Sequence, residues 1–400
     1  MSLFHLAWSY LRARPLGTLL NVLLLALGVG TIGFVLIVDG QIGESLDRDA
    51  KGIDLVVGAK GSAMQLMLAG IFHLDVPTGN IPLKSAQELA KDPLVKRVIP
   101  LSIADSFRGF WIIGTNADYI DLYHGSLASG HVWNERMQAV LGATVAARTG
   151  LGIGARFVGS HGLAEGGPGH GDSIYTVSGV LKPTGTVLDR LVLVSTESIW
   201  FVHEGNIDDP EEKKVIEDDR QVTVLLVQYA TPLAAVSLLR KINSETNMQA
   251  ASPAYEAARL FRMIGVGADV IRAFGGVVLG TAALSLFIAL YHALNERAYD
   301  IAVLRTLGAR PASIALMLLL EALMLAALGG MLGLLLAHVL AALLAWWMVQ
   351  QESLPIDAWI FSVQELWLLV PSFSAAILAA LLPSWRAAHA NISATLARRA

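Results

Sequence analysis

Few side chains in this sequence are placed to carry chemistry. His161, Glu165, His170 and Asp172 share one glycine-rich stretch, SHGLAEGGPGHGD, and two histidines with carboxylates are a donor set for Zn²⁺. Their His-x₈-His spacing matches no rigid site, so zinc stands beside a plain polar loop as the alternative. His203-Glu204 precedes an acidic run from Asp208 to Glu212. The neighbouring pairs Asp208-Asp209 and Asp218-Asp219 read as solvated carboxylates, not as a hydrolytic dyad. Cysteine is absent, which excludes disulfides, Cys-ligated zinc and thiol catalysis. The chain has no G-x-S-x-G, no H-E-x-x-H and no G-x-x-x-x-G-K-[ST]. Gly28, Gly30 and Gly33 spell G-x-G-x-x-G, but inside an uncharged apolar run, where close helix packing is the better reading. Gly329, Gly330 and Gly333 read the same way, as does the pair Gly276 and Gly280. No catalytic residue is assigned.

The elements around these residues are set by composition. Of 400 residues, 54% are apolar and only 16% charged, against about 25% in soluble domains. The charges are unevenly spread: three fall in residues 1–39 and twelve in 273–400, whereas 40–272 has near-soluble composition. An ordinary soluble enzyme, a disordered chain and a nucleic-acid binder with a basic face are excluded. A spanning helix needs about 20 apolar residues, and four segments qualify: 17–39, 273–294, 311–349 and 366–385. The third is long enough to project from the bilayer, with a break at Gly329-Gly330 as the alternative. Glu321 is its one charge; a carboxylate in a span is a functional candidate by default, weighed here against a structural bond, and no arginine or lysine partner lies within the spans. Residues 1–16 read as an interfacial amphipathic helix in contact with membrane lipid.

Arginines set the orientation. Arg12, Arg14, Arg297, Arg305, Arg310, Arg386, Arg398 and Arg399 place both termini (1–16 and 386–400) and the 295–310 loop in the cytoplasm. The 350–365 loop, with Glu352 and Asp357, then faces outward with the 40–272 insert. The expected fold class is an α-helical membrane protein with four transmembrane helices and a mixed α/β extracytoplasmic domain inserted between helices 1 and 2. Within the insert, Ile53–Val57, Phe107–Gly114, Ser178–Leu181, Leu191–Ser195 and Val222–Val227 read as strands. Ser85–Lys91, Thr144–Leu151 and Pro232–Asn247 read as helices, and Ser160–Asp172 and Asn206–Arg220 as loops. Gln41–Lys51 and Ser252–Arg272 read as stalk helices continuing the spans.

The stretch 295–310 is the most informative. Ile301, Leu304, Arg305, Leu307 and Gly308 suggest a short amphipathic helix with a glycine stop, either a headgroup anchor or a docking helix for a cytoplasmic partner. Residues 295–333, NERAYDIAVLRTLGARPASIALMLLLEALMLAALGGMLG, resemble the signature of MacB/FtsX/LolC-type ABC transporter permeases. Asp300 and Ala302 replace that pattern's usual Glu and Gly. Pro383, Arg386 and His389 resemble the family's tail, and Asp54–Gly61 with Gly114–Tyr119 the start of its external domain. The resemblance implies a stand-alone permease without a fused ATPase in the cell inner membrane, its external part periplasmic. It would work as a homodimer, with ATP and Mg on a separate cytoplasmic ABC ATPase. ATP-driven motion would pass through Glu296, Arg297, Asp300, Leu304, Arg305, Leu307 and Gly308 to the external domain, acting on a lipoprotein, peptide or other envelope substrate, with an adaptor or lipoprotein as a further partner. The alternatives are an FtsX-like regulator of a cell-wall hydrolase and a metal-linked envelope factor using His161 and His170.

Overall fold

A computed structural model describes residues 3–161, 169–204, 215–350 and 357–389. The chain divides into two compact units, Met1–Ile42 with Ile264–Ala400, and Gly43–Met263. It opens with α1 (Leu3–Ala13) and α2 (Pro15–Ala50), whose first residue is a proline, tolerated where no intrahelical N–H is needed.

The Gly43–Met263 unit is mixed α/β. Its first half holds β1 (Leu55–Ala59), α3 (Ala63–Met67), β2 (Ile81–Pro82), α4 (Leu83–Ala90), β3 (Val95–Phe107), β4 (Phe110–Thr115) and α5 (Asp118–Leu122). Next come β5 (Leu127–Gly130), β6 (Gln138–Leu141), α6 (Ala143–Thr149), β7 (Arg156–His161), β8 (Gly169–Leu181), β9 (Val192–Ser195) and α7 (Thr196–Glu204). It closes with β10 (Gln221–Val222), β11 (Val224–Tyr229), α8 (Ala234–Glu245) and β12 (Met248–Ala251). One sheet runs β12-β1-β11-β3-β4-β9-β6-β8-β5, with β7 bridging β3 and β8; β2 and β10 form a separate pair. β3 joins two cores. Its first half pairs with β11 beside Leu55, Val57, Leu225 and Leu238, and its second half with β4 beside Ile112, Leu141, Phe157 and Val194.

Several expectations are corrected here. A strand over Phe107–Gly114 is interrupted, because Arg108 (φ 47°) and Gly109 (φ 82°) form a two-residue hairpin turn that pairs Phe107 with Phe110. The stretch Ser160–Asp172 is not all loop: its ends belong to β7 and β8, aligned by the packed pair Phe157 and Tyr175, with 162–168 outside the described residues. Residues 215–218, expected in a loop, are helical. β3 itself escapes the sequence reading, since Arg97, Val98 and a bulge near Asp105 interrupt its alternation and Pro100 argues against a central strand.

The end of α2 is keyed into this unit by Asp49. Its Oδ1 accepts the Val187 N–H at 2.9 Å, and its main-chain oxygen accepts the Tyr123 hydroxyl at 2.8 Å. Nearby, His73 is buried, with Nε2 3.1 Å from the Tyr119 hydroxyl and its carbonyl accepting Trp111 Nε1–H. Burial, with the Arg190 charge close by, pushes the imidazole down to about 3. The folded state thus keeps His73 neutral while the unfolded chain takes up a proton below about 6.5. Its contribution is therefore complete above that pH and falls by about 1.4 kcal/mol per pH unit as pH drops towards the folded value. His73→Gln should flatten this acid limb. Thermal midpoints of the full chain at falling pH test it; parallel curves for the variant and the parent would refute it.

The other unit gathers α1 and α2 with α9 (Pro253–Glu296), α10 (Ala298–Thr306), α11 (Pro311–Gln350) and α12 (Leu369–Ala388), the last preceded by a 3₁₀ segment, Val363–Leu368. Among the described residues, four of its helices are long and apolar enough to cross a membrane. Leu25 and Val29, Leu286 and Leu290, Leu318 and Ala322, and Ala376 and Ala380 form its core. Leu20, Leu27, Leu284, Leu335 and Leu378 point outward, as lipid-facing side chains must. α11 is continuous through Gly329-Gly330, so the alternative of a break there does not hold. α12 carries a buried Pro383, which has no N–H for the carbonyl one turn earlier at Ala379.

Candidate functional site

The residues from 295 to 310 hold a short helix, α10, tied to the bundle on one side and open on the other. α9 ends at Glu296, Arg297 (φ −95°, ψ 10°) makes the turn, and α10 begins at Ala298. Gly308, at φ +97°, ends the element in a conformation that a side chain disfavours, and Pro311 starts α11.

Inward, Arg297 is only 7% exposed. Its Nη1 donates to Glu321 Oε2 at 3.2 Å, and its guanidinium lies 3.8 Å from the centre of the Tyr10 ring. Arg14 pairs with Glu296 alongside. Glu321 borders a cavity of about 90 Å³ shared with Tyr10, Arg14, Thr18 and Asn21. Asn21 donates to the Gly17 carbonyl at 2.8 Å, while its buried Oδ1 has no hydrogen-bond partner among the described residues. Glu321 thus has the arginine that the spans themselves lack: the partner comes from the turn 24 residues earlier. Facing residues on adjacent helices leave no fixed spacing in a sequence, so only the sparsity of charge hinted at this pair.

Outward, Asp300 and Gly308 are exposed and Leu307 is 79% exposed, an apolar side chain at a helix tip. Leu304 and Arg305 are half-buried, and Ile301 and Ala302 are buried against the bundle. Of the residues expected to face a partner, Asp300, Leu307, Gly308 and Glu296 reach the surface, and Arg297 is turned inside.

Gly28, Gly33, Gly329, Gly330 and Gly333 sit at helix contacts, whereas the expected contact of Gly276 and Gly280 is not formed among the described residues. A Cβ on Gly329 would lie 2.5 Å from Leu25 Cβ, and one on Gly333 2.7 Å from Val29 Cβ. Gly28 packs on Leu279, Gly33 on Ala337 and Leu368, and Gly330 on Leu369. Gly276 and Gly280 have nothing within 4 Å.

His161, His170 and Asp172 belong to β7 and β8, but their side chains, with Glu165, lie outside the described residues. Among the described residues no group of three or more His, Asp or Glu side chains could hold a metal ion. Sequence reasoning missed the pairing of His203 with the fully buried Asp105, 3.5 Å apart, which holds the His203 proton above the usual histidine range. His203 borders a cleft of about 420 Å³ with Trp200, Ile103, Ser102 and Arg220. Arg220 is held there by two hydrogen bonds to Glu204.

Among the described residues this arrangement holds no catalytic constellation; it is a clamped helix with an exposed apolar tip. Residues 18–258 match the family described as the MacB-like periplasmic core domain, and 272–392 the FtsX-like permease C-terminal family. No curated protein matches the sequence significantly. Among solved structures, the periplasmic region of MacB from Actinobacillus actinomycetemcomitans is similar at 11% identity, over 53% of this chain and 95% of that one, with a TM-score of 0.35. The extracellular domain of YknZ, a noncanonic ABC-type transporter from Gram-positive bacteria, is similar at 14% identity (50% and 99% covered, TM-score 0.31). A domain of a putative permease from Porphyromonas gingivalis also shows 14% identity (50% and 86% covered, TM-score 0.27). Scores this low add nothing to the two family matches, which between them cover nearly all of the sequence: the chain belongs to the MacB/FtsX-type family of ABC transporter permeases.

Proposed function

We propose that this chain is a permease component of an ABC transporter in the cell inner membrane, and that it passes ATP-driven motion of a cytoplasmic ATPase to its extracytoplasmic domain. The observation that carries the reading is the two-faced α10, locked to the bundle by Arg297 and leaving Asp300 and Leu307 exposed. α10 follows α9 after one residue and precedes α11 by a short turn, so a load on it enters two long helices at once. Residues 295–310 are the coupling helix in this account, and 40–272 the working domain. The chain acts as a homodimer on a lipoprotein, peptide or other envelope substrate, with a periplasmic adaptor or lipoprotein as a further partner. ATP and Mg are held by the ATPase in this reading. ATP binding can move the external domain only by favouring one of two conformations.

The test uses the full chain with its ATPase in lipid. Leu307→Asp puts a charge where an apolar contact is needed, and Arg305→Glu reverses the helix's basic end. Each should cut permease-stimulated ATP hydrolysis by about tenfold or more, the scale of one interface hot spot. Unchanged stimulation in both variants would rule out docking at α10.

A further inference from the structure

The third span contains one histidine, His338, and it is buried. Both its ring nitrogens meet the segment that leads into α12. Nδ1 lies 2.7 Å from the Ala358 carbonyl oxygen, and Nε2 lies 2.9 Å from Glu365 Oε2. The other carboxylate oxygen, Oε1, accepts the Ser362 N–H at 2.9 Å. Trp359 and Phe361 flank the imidazole, with ring centres 6.3 and 6.1 Å away. Ala337, Ala341 and Ala358 are buried together beside it. From α2, Gln41 grips the same segment with two hydrogen bonds to the Asp357 main chain, at 2.7 and 2.8 Å.

Hydrogen-bond bookkeeping fixes the proton count. A carbonyl oxygen only accepts, so Nδ1 carries a hydrogen. A neutral ring in that tautomer presents a bare lone pair at Nε2. Facing an ionised carboxylate at 2.9 Å, it would set lone pair against lone pair. The contact therefore needs one more proton, on Nε2 or on Glu365. In either form the pair is neutral overall, which its apolar surroundings favour. Without that proton it carries a net negative charge and a repulsive contact.

We infer that His338 and Glu365 together form a proton-binding site that fastens residues 357–368 to the third span, and that loss of the proton frees the segment. The other charged groups described at this end are engaged elsewhere. From α2, Asp39 pairs with Arg272 of α9 at 2.6 Å, and Asp269 pairs with the same arginine at 2.8 Å. In the segment itself, the Asp357 carboxylate accepts the Trp359 N–H at 3.1 Å. The charges of α11 and α12, Glu321 and Arg386, lie towards the opposite ends of those helices. The proton's source is the solution on the extracytoplasmic side.

Hydrogen exchange of the full chain in phospholipid nanodiscs tests this, with rates corrected for the intrinsic effect of pH. Protection of amides in 357–365 should fall about tenfold or more between about pH 6 and about pH 9, while α11 amides stay protected. Glu365→Gln should keep protection at both values. Neutral His338 can still donate from Nδ1, and it can accept from the glutamine amide at Nε2 without an extra proton. If that variant fails to fold, as loss of α11 protection would reveal, His338→Gln takes its place and should likewise lose the pH dependence. Protection that is independent of pH in the parent, or a pH dependence that survives in the folded variant, would overturn the assignment.

Discussion

Glu321→Ala should cost the bundle about 3–5 kcal/mol, because it strands a buried guanidinium whose only described carboxylate partner it removes. Arg297 is too enclosed to turn to solvent, and the Tyr10 ring supplies only a small part of the lost attraction. Arg297→Ala should cost a similar amount by leaving the carboxylate unpaired. The double variant Arg297→Met with Glu321→Leu should recover most of the loss, since replacing both partners removes the stranded charge. Glu321→Gln, which still accepts a hydrogen bond, should fall between. Salt separates this pair from its exposed neighbour: Arg14–Glu296 is screened at high ionic strength, whereas the buried pair is not. Thermal unfolding in lipid or detergent measures all four. A Glu321→Ala protein within about half a kcal/mol of the parent would mean the pair contributes nothing.

The second large effect is steric. Gly329→Leu should force α2 and α11 apart, because the new Cβ would meet the root of Leu25 at 2.5 Å and the Val22 carbonyl at 3.3 Å, neither a flexible tip. Gly333→Leu repeats the clash one turn along, 2.7 Å from Val29 Cβ and 3.0 Å from the Ala26 carbonyl. Each change should cost about 3 kcal/mol, the upper part of the usual overpacking range. Gly330→Ala should be milder, since its near neighbour is a movable Leu369 methyl. Gly276→Ala meets nothing and should be neutral or slightly stabilising through helix propensity. Thermal midpoints in that order would support the contact, and a Gly329 variant no less stable than the Gly276 variant would contradict it.

The readable parts of the molecule were those written locally. The spans show as uninterrupted apolar runs, and β11 and β9 as dense Val and Leu. α10 was legible from Ile301, Leu304, Arg305 and Leu307 at helical spacing and from the glycine stop at Gly308. What escaped depends on chain segments meeting from a distance. β3 is a strand because β11, β4 and β7 pair with it; its own alternation is confined to Ile99, Leu101 and Ile103 and is interrupted by Arg97 and Val98 on one side and Asp105 on the other. Arg297 had the profile of a surface docking charge, and only the return of α11 past the α9–α10 turn places Glu321 against it. His338 and Glu365 stand 27 residues apart in a region read as span and loop, so nothing local announced their contact.

Pro383 gives the fourth span an uneven stiffness. Beyond it, Arg386 donates to the Tyr291 hydroxyl at 2.6 Å and lies over that ring, so the tail of α12 is fastened to α9 near its junction with α10. The missing lengthwise bond at the proline leaves the two pieces of α12 free to pivot on one another. A swing of the α9 terminus would then be absorbed by this short hinge, and the long remainder of the fourth span could stay at rest in the bilayer while its neighbours move.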